Sequence, residues 1–366
     1  MTKESVKEFL KKKDIEISLR RYGIDALGAM AQGLFCTLLV GTILSTLGTQ
    51  FHALDFLVKT IATVGAAEYS VASLCTAMAG PAMAAAIGYA LKSPPLVLFS
   101  LIVVGFAANA LGGAGGPLAV LVIAILASEF GKLVSKETKV DILVTPLVTI
   151  GVGVGLAAWW APALGKAAMW VGDLIMWATN LQPFLMGILV SVLVGMALTL
   201  PISSAAICAA LGLTGLAGGA AVAGCCAQMV GFAFMSFPEN KWGGLVSQGI
   251  GTSMLQMGNI VKNPRIWIAP IVTSAITGPL ATCVFKMQMN GTPVSSGMGT
   301  CGLVGQIGVY TGWVSDIAAG TKAAITAMDW TGLVLICFVL PAVLCPLINF
   351  GLKKIGWVKE GDTKLD

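Results

Sequence analysis

The stretch "VIAILASEFGKLVSKETK" (Val122–Lys139) decides the class of fold. It begins as an apolar run of the kind that forms the body of a membrane helix, and it becomes charged from Lys132 onward. Runs of about 18 apolar residues or more recur over 28–350, and each is long enough to cross the hydrocarbon core as a helix. Glu129 stands out because it places a carboxylate roughly one turn before the charged end of such a run.

The composition of the whole chain agrees with this interpretation. The chain has 366 residues, of which 57% are hydrophobic and 11% are charged, and its mean hydropathy is +0.89. Soluble domains carry about 25% charged residues, and a membrane β-barrel would show short strands of alternating polarity. We therefore predict an all-α polytopic membrane protein of about ten transmembrane helices, in two internally repeated halves with broken or re-entrant segments.

The sequence also argues against several kinds of site. The nine cysteines form no C-x-x-C pair and His52 is the only histidine, so we expect no metal site and no cofactor. "GMGTCG" (Gly297–Gly302) has the spacing of a nucleotide-binding loop, but no strand precedes it and no βαβ unit surrounds it. The net charge of +5 comes mostly from basic flanks, so no nucleic-acid partner is expected. We predict no catalytic residues and no self-contained catalytic centre.

The apolar runs predict spans along most of the chain. Those spans lie near 25–48, 70–91, 95–112, 117–134, 143–163, 183–200, 243–261, 265–285 and 330–350. The stretch 203–236 is rich in Gly and Ala, and is one broken span, a re-entrant hairpin or two short spans. The predicted organisation is a basic amphipathic N-terminal segment (1–24), a first membrane repeat (25–163), an interfacial linker helix (164–182), a second repeat (183–286), a Gly-rich loop with an amphipathic segment (287–329), and a final span with its tail (330–366).

Four sequence matches in the same order predict the two halves. "GLFCTLLVGTIL" matches "GILVSVLVGMAL", "GPAMAAAIGYAL" matches "LPISSAAICAAL", "EFGKLV" matches "QMGNIV", and "ILVTPLVT" matches "IWIAPIVT". Internal repeats of this kind are typical of transporter folds. The matches leave open whether the repeat is inverted. Both ends of the chain are basic, which favours cytoplasmic ends and an even number of spans, whereas a strictly inverted repeat would place the C-terminus outside.

The repeat pairs Glu129 with Gln256. An ionisable group inside the membrane costs roughly 2.5–3.5 kcal/mol on insertion scales, and therefore indicates a functional site by default. We predict that both side chains bind the hydroxyl groups of a solute. The alternative is that Glu129 reaches the cytoplasmic interface beside Lys132 and has no further role.

Further candidates for solute binding lie near unusual segments. Ser203 and Ser204 follow a proline in "LPISSAAI", and Gln228 interrupts an apolar face in the second half, as Asn109 does in the first. Broken helices lined by such groups are where transporters bind substrates. Helix capping or interhelical hydrogen bonding accounts for each of these residues equally well.

One loop between two predicted spans is basic. "NIVKNPRIWIAP" begins at Asn259, which we include among the solute-binding candidates, and carries Lys262 and Arg265 around an Asn-Pro turn. The two cations predict a mouth that attracts anions. The alternative is an ordinary charged loop between helices.

Several long stretches carry a resemblance to a known family. They are "GIDALGAMAQGLF", "KSPPLVLFS", "GKLVSKETKVDILVTPLVT", "MALTLPISSAAI", "GCCAQMVGFAFMSF" and "GTSMLQMGNIVKNPRIWI". Together they resemble the bacterial phosphotransferase-system EIIC proteins of type 2, which include the perfringolysin regulator type. The resemblance covers about 20–350 and implies a multi-pass protein of the bacterial inner membrane, the sugar-translocating subunit of a phosphoenolpyruvate-dependent system.

The resemblance also implies partners. Such a system needs a IIB domain and a IIA domain, and we expect neither to be fused to this chain, so phosphotransfer would require a separate IIB protein at the cytoplasmic face. In better-known EIIC proteins a glutamate and a histidine contact the sugar. Glu129 is a candidate for the glutamate, but the chain has no buried histidine to match. We also expect a homodimer in the lipid bilayer.

Three functions follow from these observations. The first is an EIIC-like transporter of a small polar solute, a sugar permease subunit. The second is a membrane sensor or regulator that keeps the transporter scaffold and binds a solute without moving it. The third is an ion-coupled carrier of a small organic anion, with Glu129 as its proton site.

Overall fold

A computed structural model describes residues 3–365 and places nearly all of the regular structure in helices. Within this part of the chain the one sheet is a pair of antiparallel strands, Ala62–Val64 (β1) and Ala67–Tyr69 (β2), with Thr63 opposite Glu68. The chain divides into two compact units, Met1–Ala167 and Ala168–Asp366. The helical class predicted from the apolar runs is confirmed.

The first unit contains helices α1 to α7 and most of α8. They are α1 (Lys3–Lys12), α2 (Ala26–Leu34), α3 (Val40–Gln50), α4 (Val71–Ala77), α5 (Ala79–Ala90), α6 (Pro95–Gly112), α7 (Gly116–Val134) and α8 (Asp141–Thr179). Helices α6 and α7 pack against each other. Gly113 turns the chain between them with a φ of 51°, a conformation that glycine adopts without strain. The long apolar stretch Pro95–Val134 is therefore a helical hairpin.

The second unit contains the end of α8 and ten further helices. They are α9 (Pro183–Thr199), α10 (Ser204–Ala210), α11 (Gly215–Met235), α12 (Phe237–Val246), α13 (Met257–Lys262), α14 (Ile268–Pro279), α15 (Pro293–Ser296), α16 (Val304–Ala318), α17 (Ala327–Val334) and α18 (Leu340–Lys354). Helix α11 is its centre, because α9, α14 and α18 pack around it and residues 218–233 are all buried. Small residues allow this close approach: a Cβ on Gly224 would collide with the backbone of Ser191.

The helices long and apolar enough to cross a membrane differ in number from the predicted spans. Within the described residues six stretches qualify: Arg21–Thr49, Pro95–Val134, Asp141–Thr179, Gly215–Met235, Pro264–Val284 and Ala327–Lys354. The bent pair Val71–Ala77 and Ala79–Ala90 makes a seventh if it is one span. Pro95–Val134 holds two of the predicted spans, and α9 is shorter than the others. The long helices confirm a multi-pass architecture.

Three segments can be compared in detail with the sequence prediction. The predicted span 243–261 is not a continuous helix, because Thr252 is extended (φ −157°) between a π-helical turn and the 3-10 turn Ser253–Gln256. The region 164–179 continues α8 without a break. The break in 203–236 lies between α10 and α11, where Gly212 and Gly215 have positive φ.

Candidate functional site

The Glu129 carboxylate lies in a partly buried ion pair near the end of α7. Lys132 lies three residues later on the same face of the helix, and its Nζ is 3.3 Å from Glu129 Oε1. The Lys132 side chain is 1% exposed and that of Glu129 is 13% exposed. Glu129 Oε2 is buried and has no hydrogen-bond partner among the described residues. One carboxylate oxygen is therefore free to accept a hydrogen bond.

The N-terminal segment closes this end of the first unit. Lys132 Nζ also donates to the Asp14 backbone carbonyl, at 3.3 Å. Arg21 donates to both carboxylate oxygens of Asp14, at 3.1 and 2.8 Å, and to the carbonyl of Leu91 at 2.7 Å. Its hydrogen bonds hold the pKa of Asp14 below the ordinary value. Lys132 thus fixes the segment around Asp14 to α7, and Arg21 links it to the end of α5.

The second-half counterpart, Gln256, lies in a chain of buried amides. Gln256 Nε2 donates to Gln248 Oε1 at 2.8 Å, and Asn259 Nδ2 donates to Gln256 Oε1 at 2.9 Å. Gln248 in turn donates to Ser236 Oγ at 2.9 Å. The three amide side chains are buried, and each finds its partners among the others and in the backbone. The structure thus brings together the predicted pair Gln256 and Asn259.

Residues 357–365, called the C-terminal segment below, occupy this amide chain. Gln256 Nε2 donates to the carbonyl of Thr363 at 2.9 Å, and Asn259 Nδ2 donates to the carbonyl of Lys364 at 2.8 Å. Asn240 donates to the Thr363 carbonyl and accepts from the Leu365 N–H, both at 2.8 Å. These contacts are made to backbone atoms, so the amides hold the path of the segment whatever its side chains are.

A carboxylate completes the binding of the C-terminal segment. Glu239 accepts hydrogen bonds from the Gly361 N–H, the Thr363 N–H and the Thr363 hydroxyl, at 3.0, 3.0 and 2.7 Å. Hydrogen bonds to a charged acceptor are worth about 1.5–3 kcal/mol each. Thr363 is 1% exposed as a result. Sequence reasoning missed this contact, because Glu239 and Thr363 are more than a hundred residues apart.

A second buried polar group, the Gln228 cluster, consists of Thr199, Gln228, Ser253 and Trp267. Gln228 Oε1 accepts from Trp267 Nε1 at 2.8 Å and from Thr199 Oγ1 at 3.2 Å. The hydroxyls of Thr199 and Ser253 are 2.8 Å apart. Gln228 is fully buried, and its Nε2 lacks a partner anywhere in residues 3–365. Only Gln228 was predicted from the sequence.

Three other predicted residues make capping and packing contacts in this structure. Ser203 caps α10 by accepting from the Ala206 N–H at 3.2 Å, and Ser204 donates to the Gly297 carbonyl at 2.7 Å. The Gly-rich loop that holds Gly297 is buried over 295–301. Asn109 lies in contact with Gly80 and Gly116 where α5, α6 and α7 cross.

The two predicted cations are not members of either buried polar group. Lys262 and Arg265 are exposed. The Arg265 guanidinium lies 5.4 Å from the centroid of the Trp357 ring, a cation–π contact with the C-terminal segment. An anion-attracting mouth at these cations remains a prediction. In the described part of the chain, no group of three or more His, Cys, Asp or Glu side chains could hold a metal ion.

Comparison with known proteins gives the family. No curated protein and no solved structure matches the chain. The sequence model of the family described as phosphotransferase system, EIIC, matches residues 24–365, and so covers both units and the C-terminal segment. The chain therefore belongs to the EIIC family of the phosphotransferase system and is a multi-pass membrane component of a sugar transporter of that kind.

Proposed function

We propose that this protein is a permease subunit that carries a small polar solute, a sugar, across the bacterial inner membrane and passes it to a separate IIB protein. The observation that carries the proposal is the unpaired amide of Gln228 inside the second unit. A buried donor without a partner costs about 1–3 kcal/mol. A hydroxyl group of a bound solute would remove that cost.

The surroundings of Gln228 suit a hydroxylated ligand. Thr199 and Ser253 supply hydroxyls that can donate or accept, and the half-buried Trp267 indole supplies an apolar face beside them. Gln228 also lies in α11, at the packed centre of the unit, whereas Ser253 belongs to an irregular turn. A rigid helix that faces irregular backbone is the arrangement in which transporters bind their substrates.

Glu129 has a separate part in the proposal. Its free oxygen, Oε2, would accept a hydrogen bond from a solute hydroxyl while Oε1 stays paired with Lys132. Asn259 and Gln256 would bind hydroxyls only when the C-terminal segment leaves them. Because Ser203, Ser204 and Asn109 are engaged in capping and packing, we place the solute contact of the second unit at Gln228 and, separately, that of the first unit at Glu129.

The proposed IIB partner would dock on the basic N-terminal segment and the loop "LVSKETK", where Lys13 pairs with Glu137. We further propose that the working unit is a homodimer. Its mass in detergent, measured by light scattering, tests that part independently of transport.

The test is uptake by membrane vesicles that contain the full chain, the general phosphotransfer proteins and the candidate IIB. Phosphoenolpyruvate should drive uptake of the sugar, and Gln228→Leu should reduce it at least tenfold. Gln306→Leu is the matched control, because Gln306 is also buried in the second unit and its Oε1 likewise has no partner among the described residues, but it lies outside the Gln228 cluster. Wild-type uptake by Gln228→Leu would contradict the site. Sugar binding without any uptake would favour a sensor instead.

A further inference from the structure

A polar cavity of about 430 Å³ lies in the second unit, apart from the Gln228 cluster and the amide chain. We call it the Trp313 recess. It is lined by Lys286, Gln288, Asn290, Trp313, Asp316, Thr321, Lys322 and Asp329. Its volume falls in the range of about 300–1,000 Å³ that is typical of small-molecule sites. Every lining residue carries a hydrogen-bonding group.

The polar side chains of the Trp313 recess are held in place by each other. Asn290 Nδ2 donates to Asp316 Oδ2 at 2.8 Å, and Lys322 Nζ donates to Asp329 Oδ1 at 2.9 Å. The second oxygen of Asp329 accepts from the Thr326 N–H and hydroxyl, both at 2.8 Å. Among the described residues, the second oxygen of Asp316 and two of the three ammonium protons of Lys322 have no hydrogen-bond partner. The remaining atoms are both donors and acceptors in fixed positions, as recognition of hydroxyl groups requires.

An aromatic ring forms part of the wall. Trp313 is 3% exposed, and Trp330 packs edge-on against it with ring centroids 5.4 Å apart. Lys322 Nζ lies 6.0 Å from the centre of the Trp313 ring. Because the Trp313 ring is almost fully buried, it supports the wall of the recess, and the carboxylate and amide groups beside it supply the partners for O–H groups.

The charges of the Trp313 recess favour a neutral ligand. Lys286 and Lys322 supply two positive charges, and Asp316 and Asp329 supply two negative ones, so the formal charge of the lining is zero. A strongly anionic or cationic solute would gain little electrostatic stabilisation from a lining with no net charge. We propose that the Trp313 recess binds a neutral polyhydroxylated solute, a monosaccharide or sugar alcohol.

The position of the recess suits the capture of a solute from outside the cell. Asp329 lies in the first turn of the helical stretch Ala327–Lys354, which has 28 residues and is about 42 Å long at 1.5 Å per residue. Lys353 and Lys354 lie in its last turn. Basic residues favour the cytoplasmic side, so the Trp313 recess opens at the outer side. The inference deepens the proposed function by adding a capture site ahead of the Gln228 cluster.

The experiment is titration calorimetry on the purified full chain in detergent, with hexoses, pentoses, amino sugars and hexitols as probes. At least one should bind, and Asn290→Ala and Asp316→Asn should each raise its Kd at least tenfold. Asn180→Ala is the matched control, because Asn180 is another asparagine of this unit and bonds only to a backbone carbonyl of its own turn. No binding by any probe, or equal binding by all variants, would overturn the proposal. Preferred binding of glutamate or inorganic phosphate would overturn it too.

Uptake separates this inference from the proposed function. In vesicles, Asn290→Ala should raise the apparent KM for the sugar at least tenfold. The maximal rate should change little, because we assign the later transport step to the Gln228 cluster. Gln228→Leu should lose uptake but keep the Kd measured at the Trp313 recess. If no uptake occurs at all, sugar binding that depends on Asn290 would still support a binding site in the Trp313 recess. Uptake with the same KM in the wild type and in Asn290→Ala would contradict it.

Discussion

Asn259 makes in the second unit the contacts that Lys132 makes in the first. Each side chain donates to the side-chain oxygen of the residue three positions earlier, and each donates to a backbone carbonyl of a terminal segment. The earlier residues are Glu129 and Gln256, which the sequence match pairs. One pattern thus exists in a charged and in a neutral form. The Gln256–Asn259 pair makes these contacts without an ion pair. A neutral pair at positions 129 and 132 should therefore be tolerated as well.

We expect Lys132→Asn to be far more damaging alone than together with Glu129→Gln. The single change leaves a partly buried carboxylate without its cation, and loss of one partner of such a pair costs about 3–5 kcal/mol. The double change reproduces the neutral pair of Gln256 and Asn259. Unfolding in mixed micelles of increasing denaturing detergent measures both. Equal losses in the single and double variants would show that the two residues are not coupled.

Glu129→Gln should keep the protein folded and abolish or severely slow uptake. Glutamine has nearly the shape of glutamate, and Oε1 can still accept from Lys132. What is lost is a charged acceptor for a solute hydroxyl. Uptake in vesicles gives the rate, and the thermal unfolding midpoint checks the fold. Glu68→Gln is the control, because Glu68 is an exposed glutamate on β2 of the same unit. Transport at the wild-type rate would leave Glu129 as an interfacial residue with no role in binding.

Glu239→Ala should loosen the C-terminal segment without unfolding α11. The change removes the acceptor of three hydrogen bonds from Gly361 and Thr363. The backbone amides of Gly361 and Thr363 should then exchange hydrogen at least tenfold faster, which mass spectrometry of the C-terminal peptide reports. Glu360→Ala serves as the control, because Glu360 is exposed on the same segment. Unchanged exchange in Glu239→Ala would mean that other contacts hold the segment.

Acid should release the N-terminal segment. The hydrogen bond from Arg21 lowers the pKa of Asp14 from its ordinary 3.8, and the hydrogen bond from Lys13 lowers the pKa of Glu137 from 4.5. A carboxyl whose pKa is lower in the folded state stabilises it above the unfolded pKa and loses that effect as the pH falls through the folded pKa. Protection of residues 13–21 from protease should therefore be constant above about pH 5 and should fall below about pH 4.

The control for the acid effect is the double variant Asp14→Asn, Glu137→Gln. It should show weaker protection that no longer depends on pH in this range, because neither amide titrates. Protection that instead falls as the pH rises from 5 to 7 would contradict the assignment to these two carboxyls.

The fold was largely predictable where proline or glycine residues mark the ends of an apolar run. Helices α6 and α7 match the predicted spans 95–112 and 117–134 closely, because prolines begin both and Gly113 separates them. The predicted span 243–261 is not a continuous helix, because the mean hydropathy of a segment does not report the backbone conformation of its single residues. A π-helical turn and the extended Thr252 interrupt it, and buried side chains such as Gln248 and Gln256 replace the missing backbone partners.

The candidate site was predictable only one residue at a time. Gln228 could be found because an amide interrupts an apolar run. Its partners could not, since Trp267 and Thr199 lie 39 and 29 residues away and have no unusual local pattern. The same holds for Trp313 and Asn290, whose recess depends on how two loops and the first turn of α17 pack against α16. A single sequence does not show which distant residues are in contact, so these contacts became visible only in the structure.

The docking of the C-terminal segment sets an order of events during synthesis. Its partners over 239–263 precede it by 94 to 125 residues. At about 5–20 residues per second, roughly 5–25 s pass before the ribosome supplies the missing carbonyls. During that interval Gln256 and Asn259 must be satisfied by water or by the insertion machinery. A premature stop codon at the start of the C-terminal segment would make that state permanent, and cellular quality control would then meet a nearly full-length chain whose buried amides lack these carbonyl partners.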